Sequence, residues 1–332
     1  MRAVVMPRAG EPEVLQITQV PPPEIQSPTE LLVRIRAAGV NPIDTKLRQR
    51  GTFYPEALPA ILGCDGAGIV EAVGEAVTKF KVGDAVYFCH GGLGKQQGNY
   101  AEMTVIEEEF AALMPRNISF AEAGAAPLVL ITAWESLFDR ARLEAGRKVL
   151  IHGGAGGVGH VAMQLAHLKG AEVAVTVSSP AKAELCQRLC PTVFPILYRQ
   201  ENFVSAVMRW TDGEGVDMAL DTVGGKVFQE TFTAVQVYGD LVTILAPSAD
   251  TDWKTARDRN LRISLELMLT PMLTGQRAWR KHQAQILAEC AQLLENGKLK
   301  VHVDRQLPLA EAAQAHRLLS TGQIMGKLVL IP

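Results

Sequence analysis

The sequence predicts an α/β protein in which a doubly wound parallel sheet of the Rossmann type is joined to a separate, irregular all-β unit. Three observations carry that prediction. Short β-like runs broken by Gly and Pro fill roughly the first hundred residues. From residue 148 to about 269, apolar runs alternate with amphipathic helical stretches, the βαβ rhythm of a parallel sheet. Between the first run and the first helix of that series lies a glycine-rich turn, His152-Gly153-Gly154-Ala155-Gly156-Gly157-Val158-Gly159.

In chain order, residues 1–6 alternate as a strand should, and residues 30–37, 68–73, 85–88 and 100–105 read as further strands. The Pro21-Pro22-Pro23 run is a stiff loop. Ser119, with Glu122 three residues on, reads as a helix N-cap, and Ala-rich helical sequence follows through residue 137. That change of texture puts a domain boundary near residue 120. Beyond the alternating region, residues 281–296 read as a helix capped by Gly297, residues 309–321 as another closed by Gly322, and residues 327–331 as a final strand.

Composition narrows the function. A chain of 332 residues fits two domains, each able to bury its own core. A net charge of −2 with mixed signs leaves no sustained field for nucleic acid or an anionic membrane, so a small ligand fits better. The short acidic cluster Glu107-Glu108-Glu109 reads as a solvated loop. No apolar run approaches the roughly eighteen residues of a membrane span, and the chain opens directly into a strand pattern, so the expectation is a cytoplasmic protein. The five cysteines are odd in number and scattered, without a C-x-x-C pair, and should be free thiols.

The glycine turn is the strongest local signal. The run before it is apolar and β-branched; Val158, Val161, Ala162, Leu165 and Ala166 then recur at helical spacing until Gly170, and a second strand covers residues 172–177. Glycines also gather in ordinary turns, so the motif alone is weak. Inside a complete βαβ unit of about thirty residues it reads as a nucleotide-binding half-fold. Gly154 permits the tight turn, Gly156 and Gly157 let the backbone approach a pyrophosphate, and Gly159 lets the helix pack close to the strand. With Val158, these are the candidate diphosphate contacts, facing a helix N-terminus whose free N–H groups favour an anion.

The tip of the second strand discriminates between nicotinamide coenzymes, because a carboxylate there accepts from a ribose 2′-hydroxyl and repels a 2′-phosphate. This chain has Ser178-Ser179 and then Lys182, which suits NADP(H). The same residues also read as a Ser179-Pro180 helix cap followed by a solvated lysine.

Together these features resemble the medium-chain dehydrogenase/reductase superfamily, in its zinc-free quinone oxidoreductase (zeta-crystallin-like) branch. The resemblance covers nearly the whole chain. It rests on Gly39-Val40-Asn41-Pro42-Ile43-Asp44, Leu62-Gly63-Cys64-Asp65-Gly66, Val82-Gly83-Asp84, Ile131-Thr132-Ala133-Trp134, the glycine turn, Asp221-Thr222-Val223-Gly224-Gly225 and Gly326-Lys327-Leu328-Val329. It implies a GroES-like irregular β-barrel catalytic domain from residues 1–120 with a C-terminal return over 266–332, a Rossmann domain over 121–265, an active site in the cleft, and a homodimer. By the same resemblance, Tyr198 looks like the tyrosine beside the adenosine phosphate, Asn41 and Thr132 like residues flanking the nicotinamide, Val223 and Ala246 like cofactor-lining strand ends, and Lys327 like a C-terminal cofactor contact. Each of these residues also has a plainer reading as packing or turn chemistry; for Tyr198 that is a half-buried core aromatic.

No metal is expected. Zinc-dependent members place Cys where this chain has Asn41 and a His-Glu pair where it has Cys64-Asp65, and two potential ligands are too few for a catalytic zinc. Without a Lewis acid the chemistry should suit a substrate that accommodates charge itself: hydride added to a quinone or an enone leaves a phenolate or enolate. Candidate donors are Tyr54, which resembles a loop tyrosine of the family and also reads as a surface aromatic, with Lys46, Arg48 and Arg50, and Asn41 beside the reacting ring. Three alternatives stay open: an enoyl-thioester reductase, a zinc-type alcohol dehydrogenase, and a protein that binds NADPH without turnover.

Overall fold

The apolar run Lys148–Ile151 forms the third strand across a six-stranded, all-parallel sheet. Its order is Phe194–Leu197, Glu172–Val177, Lys148–Ile151, Val216–Asp221, Val235–Thr243 and Arg262–Leu265. Numbered along the chain, that is 3-2-1-4-5-6, the doubly wound arrangement. Consecutive strands run parallel, so each must be reached by a crossover, and helices such as Gly157–Leu168, Pro180–Leu189, Phe203–Trp210 and Gly225–Ala234 make four of these. Leu150, Ala174, Ile196, Ala219 and Leu241, one from each of five strands, are buried together with Phe203, Phe228 and Phe232 from the helices. Each such aromatic, taken fully from water, contributes about 1.5–3 kcal/mol.

The computed structural model describes residues 1–332, which divide into two units: Met1–Leu128 with Leu269–Pro332, and Val129–Met268. The division falls after Leu128, beyond the boundary expected near residue 120. The expected Ser119–Glu122 cap does start a helix, Phe120–Ala125, but Ala121, Ala123 and Ala125 bury its face against the strands Glu30–Val40 and Asp65–Val73 of the first unit. The return to that unit likewise begins at Leu269 rather than 266.

In the first unit the long strand Glu30–Val40 is the hub. It pairs antiparallel with Asp65–Val73, with Met103–Glu107 and with the C-terminal strand Lys327–Ile331, which itself lies parallel to Val303–Pro308. A smaller sheet joins Gln16–Gln19, Arg2–Met6 and Ala60–Ile61. The expected strand at 100–105 starts later, at Met103, because Tyr100 turns fully inward and donates its hydroxyl to Asp44 Oδ2 at 2.9 Å. Nor is the acidic cluster a solvated loop: Glu108 is buried, accepting the Thr78 and Lys79 N–H groups, and Glu109 pairs with Arg277 and Lys281. All five cysteines are free and buried. No helix is long and apolar enough to cross a membrane.

Candidate active site: a glycine cradle and a buried lysine–carboxylate cluster

In the second unit, the chain leaves Ile151 and turns through Gly153, whose φ of +68° only glycine adopts readily. The tight turn therefore falls at Gly153, not at Gly154 as expected. Gly154 is required for another reason: a Cβ there would lie 2.5 Å from the Val175 Cβ on the neighbouring strand. The expectation for Gly159 holds, since a Cβ on it would lie 2.2 Å from the Gly153 carbonyl oxygen. The helix Gly157–Leu168 thus starts pressed against the turn. Its first intrahelical bond runs from His160 N–H to Gly156 O at 3.1 Å, so the N–H groups of Gly157, Val158 and Gly159 precede the ladder. The cradle has room for backbone-bound oxygen and none for side chains, which fits a diphosphate.

Because all six strands are parallel, their C-terminal ends share one edge. Along that edge lie Tyr198 after the third strand in chain order, Ser178 after the second, the glycine turn after the first, Val223 after the fourth and Ala246 after the fifth. Tyr198, 49% exposed and outside the core, ties its N–H to Val177 O at 3.2 Å, beside Ser178. Ser179 does cap the helix Pro180–Leu189, accepting the Lys182 N–H, and the Lys182 side chain is half-buried. Val223 is held out, half exposed, by Asp221, whose Oδ1 accepts the Val223 and Gly224 N–H groups at 2.9 Å each. Thr222 braces the turn from the other side through a 2.7 Å bond to His152 O. His152 is structural: its ring lies between the Thr176 and Thr231 hydroxyls, and burial lowers its pKa to about 4. Thr132 is buried on the helix Pro127–Trp134 of this unit.

The first unit gathers Asn41, Asp44, Asp65, Tyr100, His316 and Lys327, all buried. Asn41 caps the helix Pro42–Arg50, and its N–H bonds Asp44 Oδ2 at 2.9 Å. Its side-chain amide donates to Asp65 Oδ2 at 2.8 Å while its oxygen accepts from Lys327 Nζ. Lys327 also lies 3.5 Å from Asp65 and 3.2 Å from the Val40 carbonyl. Burial raises the Asp65 carboxyl, opposed by the Lys327 ammonium, the Asn41 amide and the Leu128 N–H. Burial likewise carries Asp44 up to about 7. Asn41 and Lys327, expected as two separate coenzyme contacts, are thus bonded directly to one another and share the Asp65 carboxylate, which the sequence had suggested only as a potential metal ligand.

Tyr54 lines a cavity of about 610 Å³ within the same unit and donates its hydroxyl to Leu273 O at 3.3 Å. Lys46 does not join it; the helix Pro42–Arg50 buries Asp44, Leu47 and Arg48, and Lys46 falls on the exposed face. Arg48 turns inward to the Gly10 carbonyl at 2.6 Å.

A Rossmann sheet with a phosphate-sized glycine cradle, joined to a β unit built from both ends of the chain, defines a dinucleotide-binding protein of the dehydrogenase type. Residues 27–116 match the family described as the alcohol dehydrogenase GroES-like domain, and residues 193–330 the one described as zinc-binding dehydrogenase. The chain is 36% identical over 327 residues to a quinone oxidoreductase of Pseudomonas aeruginosa, with 97% of each chain covered. It is 34% identical over 336 residues to a 2-methylene-furan-3-one reductase of Solanum lycopersicum, covering 97% of this chain and 77% of that one. The crystal structure of Escherichia coli quinone oxidoreductase complexed with NADPH superposes with a TM-score of 0.88 at 28% identity over the whole of both chains. The chain belongs to the quinone oxidoreductase branch of the medium-chain dehydrogenase/reductase superfamily. Its side chains do not fit the zinc in the second family description: no three His, Cys, Asp or Glu residues are grouped to hold a metal ion. The pKa of the free Cys64 thiol is pushed up by a hydrogen bond with the Cys89 thiol and by burial, and Asp65 already faces an ammonium.

Proposed function

We propose that this chain is an NADP(H)-dependent, zinc-independent reductase that transfers hydride to a quinone or an α,β-unsaturated carbonyl compound. The observation that carries the reading is the single sheet edge on which the glycine cradle, Ser178, Tyr198, Val223 and Ala246 line up. On that edge the cradle receives the diphosphate, and Ser178 with Lys182 receives the 2′-phosphate, because no carboxylate stands at the end of the second strand to repel it. When bound, NADPH supplies the hydride. In the second unit Thr132 belongs to the nicotinamide end; in the first, Asn41 and Lys327 are taken from the family resemblance as coenzyme contacts, and Tyr54 as a substrate contact. The quinone and furanone reductases among the relatives support the substrate class. The proposal includes the homodimer and the cytoplasmic setting that the family resemblance implies.

Calorimetric titration tests it. Wild-type protein should bind NADPH more tightly than NADH and oxidise it with 9,10-phenanthrenequinone or an alkenal. Gly159→Ala, which forces a methyl group against the Gly153 carbonyl, should weaken NADPH roughly tenfold to a hundredfold. Lys182→Ala should raise the KM for NADPH about fivefold, the worth of ~1 kcal/mol at a half-exposed charge, and leave NADH unchanged. Protein that binds neither coenzyme would overturn the reading, and binding without turnover on any acceptor would leave only the coenzyme half of it.

A further inference from the structure

The cavity beside Tyr54 contains a histidine whose proton can be placed without seeing it. His90 is buried at 6% exposure and lines the cavity with Tyr54, Leu93, Met272 and Leu273. Arg280, which also lines the cavity, meets the ring at its other nitrogen, with Nη2 2.7 Å from His90 Nδ1. A guanidinium only donates, so Nδ1 must be the lone-pair nitrogen and the ring proton must sit on Nε2. Nε2 has no partner within the protein and is not sealed from solvent, which leaves its N–H for the cavity. Arg280 is itself fixed. Its guanidinium lies 3.7 Å from the centre of the Phe110 ring, a packed cation–π contact, and it is only 8% exposed. Burial brings Arg280 down only to about 10, so it stays charged at neutral pH, while burial and the Arg280 charge hold His90 near 3 and therefore neutral.

We propose that His90 is the hydrogen-bond donor for the substrate carbonyl oxygen, locked in its Nε2–H tautomer by Arg280, and that the Tyr54 cavity holds the quinone or enone. This rests on the reductase reading above. Hydride addition places negative charge on that oxygen, and a proton from water then completes the hydroquinone or the saturated ketone. A neutral imidazole N–H backed by a fixed guanidinium stabilises the charge as it forms and needs no proton of its own to leave. Arg280 is a positioning residue that sets the tautomer and adds its field.

Two measurements test this. In wild-type protein without coenzyme, nitrogen NMR of the imidazole should show His90 protonated on Nε2 only, and adding 9,10-phenanthrenequinone should shift Nε2. Arg280→Met should let the ring sample both tautomers, a change that loss of packing alone does not produce. In turnover, His90→Phe should lower kcat/KM for the quinone roughly 100-fold while the Kd for NADPH stays at its wild-type value. Met272→Trp, which fills the cavity, should raise the quinone KM and serves if His90→Phe fails to fold. A wild-type His90 protonated on Nδ1, a quinone that leaves Nε2 unmoved, or a folded His90→Phe within twofold of wild type would overturn the inference. Wild-type protein that reduces no acceptor would instead overturn the reductase reading.

Discussion

The glycine cradle and the Asn41–Asp65–Lys327 cluster lie in different units and are made of different material. The cradle is backbone: its shape comes from glycines that exclude side chains, and its binding groups are helix N–H groups. The cluster is built mainly of side chains: the buried Lys327 ammonium and Asp65 carboxylate offset one another, and the Asn41 amide bonds to both. A backbone site tolerates almost any neighbour that leaves the glycines alone. A buried side-chain site tolerates the loss of none of its members, because each leaves a desolvated group behind.

The largest expected effect breaks the cluster. Lys327→Met strands the buried Asp65 carboxylate and should cost ~3–5 kcal/mol in urea unfolding. Adding Asp65→Asn should return most of that, and a Lys327→Met protein as stable as wild type would show the pair to be idle. Acid sharpens the contrast next. The folded protein holds His152 near 4 against an ordinary 6.5, so its stabilising contribution is full above 6.5 and lost as pH falls toward 4, ~2 kcal/mol by pH 5. Asp44 has the opposite sign: raised from 3.8 to about 7, its contribution is full below 3.8 and lost as pH rises through 7. Acidification to pH 5 should therefore destabilise Asp44→Asn more than wild type, and equal slopes for the two proteins would remove Asp44 from the balance. The smallest effect is local to the sheet edge. Ser179→Ala deletes the cap at the start of the Pro180–Leu189 helix and should cost ~1 kcal/mol by thermal melting, without reaching the first unit.

The same contrast explains what could be read from the residues alone. The parallel sheet, the glycine turn and the residues at its strand ends were legible because each signal is local and parallel strands put all such ends on one side. The Gly153–Gly154 exchange of roles was not, since φ values and the Val175 contact are invisible in a run of glycines. Asn41 and Lys327 were named as separate contacts, but their bond spans 286 positions and their shared partner Asp65 carried no motif of its own beyond its place after Cys64. His90 carries no motif in the sequence; what distinguishes it is Arg280, 190 positions away. The place of helix Phe120–Ala125 also escaped, because its cap is local while the strands that bury it are not.

The pairing of Lys327–Ile331 with the early strand Glu30–Val40 has a consequence for biosynthesis. The β unit is begun before the intervening sheet and finished after it, since the Ala38–Val40 end of its hub strand stays unpaired on one side until Leu328–Leu330 has emerged. The intervening sheet has by then been fully translated and is free to fold first. An interrupted translation product would therefore carry a formed nucleotide half beside an uncovered strand edge, the kind of surface that recruits chaperones or other copies of itself.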